Sequence, residues 1–188
     1  MRDDYSQKFC SSEQSTLLLI ARDSVKWAAT SVKARFDFTP YQFTTNIKEE
    51  LASFVTLKQY GLLRGCIGML QPNGPLYKSL HDNAVSAAMY DTRFQPVHPE
   101  ELKSIRISVS VLSPIRPIRS LSEIELGRDG IIFRKGSRSS VFLPEVPVEQ
   151  GWSLEETLSH LSLKAGLPGD AWQVGSRFEV FQSIVFSE

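Results

Sequence analysis

The chain has 188 residues, 41% of them hydrophobic, which suits one domain or one core with two lobes and excludes a disordered chain. Lysine plus arginine equals aspartate plus glutamate at 21 each, so the net charge is zero and there is no global electrostatic footprint for nucleic acid or an acidic membrane. Two cysteines, Cys10 and Cys66, are too few for a secreted disulfide scaffold, and the longest aliphatic run near the N-terminus, Leu17 to Ala21, is too short for a signal core or a membrane span.

A cytoplasmic protein with two free thiols is therefore expected, Cys10 exposed and Cys66 largely buried. Residues 1–14 read as a lead-in and residues 15–188 as the domain. Ser11 and Gln14 fit a capping box, and Leu17, Leu18, Ala21, Val25 and Ala28 recur at helical spacing, so a helix ending near Ala29 is expected. Residues 35 to 50 have no clean period and read as a loop. Phe54–Leu57 and Leu62–Ile67 read as two strands joined by Lys58–Gly61, with Gly61 free to take positive φ. Pro75 suits the first position of a helix lined by Leu76, Leu80, Ala84, Ala87 and Ala88 and ending near Asp91. Ile105, Ile107, Val109 and Val111 alternate with polar residues as a half-buried strand does. Ile131–Phe133 and Val141–Leu143 bracket a polar loop and form a second hairpin. Ser153 and Glu156 cap a helix lined by Leu154, Leu158, Leu161 and Ala165, stopped by Gly166 and Pro168. Phe178, Val180, Ile184 and Phe186 mark a last strand. Hairpins imply mostly antiparallel sheet with flanking helices, an α+β fold.

The hexapeptide Leu63-Arg64-Gly65-Cys66-Ile67-Gly68 resembles the hallmark of the AMMECR domain family. Leu17–Arg22, Phe54–Leu57, Asp91–Phe94 with Pro96-Val97, Glu101-Leu102, Ser108–Leu112, Leu143-Pro144, Trp152, Lys164–Leu167 and Trp172 follow in the family's order. The sequence departs from that pattern at Glu145, where glutamine is usual, and at Asp129, where histidine is frequent. The resemblance implies two α+β lobes around a cleft. It also implies partners in the AmmeMemoRadiSam system, a Memo-type dioxygenase-like protein and a radical-SAM protein. It supplies no reaction.

Within the hexapeptide, Arg64 sits on a strand whose two faces are both apolar. A four-residue loop would pair Leu57 with Leu62 and Val55 with Arg64, setting Arg64 and Cys66 on the Val55 and Leu57 face. An arginine there needs an acceptor. Either it pairs with a carboxylate, Asp91 first and Asp82 second, or it waits for a small anionic ligand. Cys66 is a candidate nucleophile beside it, with no base identified, or else a small buried hydrophobe. Gly65 and Gly68 weaken a strand unless a ligand, or a side chain such as Trp27 or Tyr60, approaches closely. Asp91, at a helix C-terminus, needs a cation nearby, Arg93 or Arg64. No metal or cofactor site is expected from three scattered histidines and no glycine-rich phosphate loop. Arg134–Arg138 reads as a basic hairpin tip, solvated or touching an anion or RNA. Two functions stay open: an enzyme component acting at Arg64 and Cys66 with Gly65, Gly68, Asp91 and Arg93 around a ligand, or a binding or scaffold module with the hexapeptide as structural core.

Overall fold

The computed structural model describes residues 5–30 and 34–188. The chain forms two compact units, one reaching Leu112 and including Ile184–Glu188, the other Ser113–Ser183. Every strand pairing resolved in register is antiparallel, and five α-helices occur among the described residues. The fold is α+β.

In the first unit, helix α1 (Ser11–Ala29) buries Leu17, Ile20, Ala21 and Val25, the apolar stripe that helical periodicity sets. Its cap is Cys10, one residue earlier than Ser11. The box is closed by Glu13, whose carboxylate accepts the Cys10 N–H at 3.0 Å, while Gln14 donates instead to Phe9 O. Glu13 is buried and also accepts from Thr44 and Asn46, which tethers the segment read as loop. That segment contains a short helix, α2 (Thr45–Lys48), capped by Thr44.

Strands β1 (Ser53–Gln59) and β2 (Leu62–Gly68) form the first hairpin. Its turn is two residues, Tyr60 and Gly61, at φ 53° and 82°, the twist that matches a right-handed hairpin. Strand β3 (Ile105–Leu112) pairs with the other edge of β1. Helix α3 (Leu76–Met89) begins one residue later than expected, with Pro75 as its cap, and stops before Asp91 at Tyr90. Val55, Leu57, Ile107 and Val109 from the sheet meet Leu17, Ile20, Leu80 and Ala84 from the helices in one fully buried core.

In the second unit, β5 (Asp129–Lys135) and β6 (Arg138–Phe142) form the second hairpin. β5 also pairs with β7 (Arg177–Ser187), as does the short β4 (Arg116–Pro117). Helix α5 (Leu154–Lys164) is capped by Ser153 with Glu156 closing the box, and Gly166 ends it at φ 75°. Ile131, Phe133, Leu158, Leu161 and Phe178 form this unit's core. Helix α4 (Glu145–Gln150) was not legible: it is six residues long with Pro147 inside it, a pattern that reads as a breaker. Asp129 is buried and paired with Arg128 at 2.8 Å.

Candidate functional site

The β1–β2 ladder slips between Leu57 and Lys58: Leu57 faces Gly65 and Lys58 faces Leu63, which leaves Arg64 as the extra residue of a bulge. A bulge re-aims side chains, and here it corrects the expected faces. Cys66 pairs with Thr56, not with the Val55 and Leu57 side, and Thr56 Oγ1 donates to the Cys66 thiol at 3.3 Å. Cys66 is half-buried, more open than expected, and Cys10 is exposed; both are free thiols.

Arg64 finds its acceptor in Glu101, not in Asp91 or Asp82. Nε meets Oε1 at 2.8 Å and Nη2 meets Oε2 at 2.9 Å. The same guanidinium donates to Gln95 O at 2.9 Å and Pro96 O at 3.3 Å. The side chain is only 14% exposed. Glu101 sits in the 3₁₀ turn Pro99–Lys103 and accepts the His98 N–H at 2.8 Å. Its carboxyl is lowered first by the Arg64 hydrogen bond. The signal for Glu101 was present in the sequence as a capping box, with His98 before Pro99 and Glu101 at the third position.

Asp91 and Arg93 do converge on Cys66, but on its backbone. Asp91 Oδ2 accepts the Cys66 N–H at 2.8 Å, and Arg93 Nη2 donates to Cys66 O at 3.2 Å. Arg93 closes the group by donating to both Asp91 oxygens, at 2.9 and 2.7 Å. β2 is an edge strand, and this pair satisfies one residue's outward N–H and C=O, which blunts an edge open to further pairing. Arg93's hydrogen bonds hold the Asp91 carboxyl well below the usual range, against the opposing effect of burial.

The glycines answer to packing. A Cβ on Gly65 would lie 2.2 Å from Ala87 O in α3, and one on Gly68 would lie 2.2 Å from the Phe54 ring and 2.5 Å from Ser53 O. The close neighbours are thus α3 backbone and Phe54, not Trp27 or Tyr60. Two arginine–carboxylate pairs, each neutral as a unit, frame the hexapeptide. Among the described residues, no three His, Cys, Asp or Glu side chains gather as a metal-ligand set, and no helix is long and apolar enough to cross a membrane.

The sequence pattern of the AMMECR1 family matches residues 18–186. Protein MK0488 of Methanopyrus kandleri is 41% identical over 192 residues, covering 97% of this chain and 91% of that protein. Protein MJ0810 of Methanocaldococcus jannaschii is 44% identical over 149 residues, 74% of each. The crystal structure of the uncharacterized protein PH0010 from Pyrococcus horikoshii superposes with a TM-score of 0.80 at 35% identity, over 92% of this chain and 89% of that one.

Proposed function

The chain belongs to the AMMECR1 family, and on that premise we propose that it is a non-catalytic binding or scaffold module whose hexapeptide has a structural role. The observation that carries this reading is how fully Arg64 is engaged within the protein. Four of its five N–H donors meet Glu101, Gln95 O and Pro96 O. An arginine kept for a ligand would hold a pair of donors outward, since forked recognition needs two. The proposed setting is cytoplasmic, and the proposed partners are the Memo-type dioxygenase-like and radical-SAM proteins that the family resemblance implies. Replacing Arg64 by Met removes the charge and keeps the bulk. Complementation of a deletion by R64M, in proportion to its folded fraction, is the expected result; a fully folded R64M that fails to complement overturns it.

A second reading, an enzyme component binding a small anionic ligand, rests on Cys66 and Arg93. The thiol is half-buried rather than sealed, and the Arg93 side chain is 55% exposed. Gly65, Gly68 and Asp91 would then hold the site's shape, and Arg64 would brace it. Alkylation of the C10S variant separates the two readings. A Cys66 inert to iodoacetamide and iodoacetate supports the scaffold. Fast alkylation with preference for the anionic iodoacetate, lost in R93Q, supports the ligand site.

A further inference from the structure

A pocket of about 450 Å³ opens in the second unit, remote in sequence from the hexapeptide and lined entirely by residues 117–179. Its volume lies within the range of small-molecule sites. Its charged side is unusual for a sheet. Arg134 on β5 and Arg177 on β7 face each other directly in the antiparallel register, an arrangement that like charges disfavour. Arg116 pairs with Val180 and Pro117 with Glu179, and Ile118 N–H donates to Phe178 O at 3.1 Å. Arg119 follows Ile118 in the bend after β4 and lines the same pocket. Two arginines thus face each other across β5 and β7, with Arg119 beside them in the pocket wall.

One carboxylate lines the pocket with them. Glu179 accepts from Arg134 Nε at 2.8 Å. Glu123, outside the lining, is engaged by Arg116 Nη1 at 3.0 Å and by the Arg119 and Ser120 backbone N–H groups. The guanidinium groups of Arg119 and Arg177 have no acceptor among the described residues, and both residues are exposed. The lining also includes the apolar residues Ile118, Leu121, Trp172 and Phe178. The Trp172 indole N–H is spent on Ser159 Oγ at 3.2 Å, so Trp172 offers the pocket apolar surface rather than a donor.

We propose that this pocket binds a small phosphorylated molecule, with the phosphate at the arginines and a flat apolar part against Trp172 and Leu121. A phosphate accepts forked donors from several guanidinium groups at once and removes the like-charge cost of the facing pair. A polynucleotide would need a basic track that runs well beyond one concave pocket.

Calorimetric titration of the full chain with phenyl phosphate at low salt tests this. Saturable binding is expected, stronger than that of inorganic phosphate and absent with phenol. R119Q/R177Q, two changes at exposed side chains with backbone pairing untouched, should weaken it by about 10-fold or more, since each charge-assisted hydrogen bond contributes a factor of that order. R106Q, an exposed position on β3, should leave it unchanged. The proposal is overturned by no saturable phenyl phosphate binding, by equal affinity for inorganic phosphate, by binding indifferent to R119Q/R177Q, or by tight binding of an oligouridylate in place of phenyl phosphate.

Discussion

Arg64 and Glu101 form a two-pronged ion pair, with contacts of 2.8 and 2.9 Å, across 37 residues of sequence. Each partner is mostly withdrawn from water, at 14% and 23% side-chain exposure. Removing one member leaves the other charge poorly solvated, and that penalty exceeds the worth of the pair itself. E101Q should therefore destabilise the protein by about 2–4 kcal/mol, and R64M by less, because Glu101 is the less withdrawn partner and its carboxylate can more readily regain water. Urea unfolding of the two variants checks the order. A smaller loss in E101Q than in R64M would contradict it.

Asp91 contributes to the acid limb of stability. Its folded-state pKa lies below the ordinary 3.8. For a lowered carboxyl the sign is fixed: the unfolded chain binds the proton first, so the contribution is complete above the unfolded pKa and is lost as pH falls towards the folded one. Stability should decline on acidification from about pH 4 downwards. D91N should be less stable at neutral pH and show a flatter acid limb, measured by thermal melts between neutral and acid pH. An acid limb unchanged in D91N would assign that dependence to other carboxyls.

Gly65 and Gly68 are barred from substitution for different reasons. The obstacle at Gly65 is the Ala87 carbonyl of α3, whereas at Gly68 part of it is the Phe54 ring. Overpacking at such sites costs about 1–3 kcal/mol or more. Both G65A and G68A should lose stability by at least that amount. Shortening Phe54 should recover part of the loss in G68A and none in G65A, because a side chain can yield where a helix backbone cannot. Denaturation of the four variants decides it.

The two thiols should differ in rate, not in redox state. Cys10 is exposed at the start of α1, while Cys66 is half-buried and accepts a hydrogen bond from Thr56. A disulfide-exchange reagent should titrate one thiol quickly and the second slowly in the native protein, and both at once after unfolding. Equal native rates would mean that β2 opens readily at its edge.

Sequence reading by itself determined the elements whose signal is local. The stripes of α1, α3 and α5, the alternation of β3 and the two hairpins follow from side-chain period, and family membership follows from an ordered set of motifs. It also required that Arg64 have an acceptor, since a guanidinium keeps its charge. Tertiary structure alone decided which acceptor. The bulge at Arg64 shifts register by one residue, and with a side-chain period of two such a shift moves Cys66 to the other face of the sheet. Asp91 thereby binds the Cys66 backbone, and Glu101 takes the arginine. The facing pair Arg134 and Arg177 was equally illegible, because it exists only where β5 and β7 are aligned: periodicity sets which face a residue takes, while register between distant segments sets what that face meets.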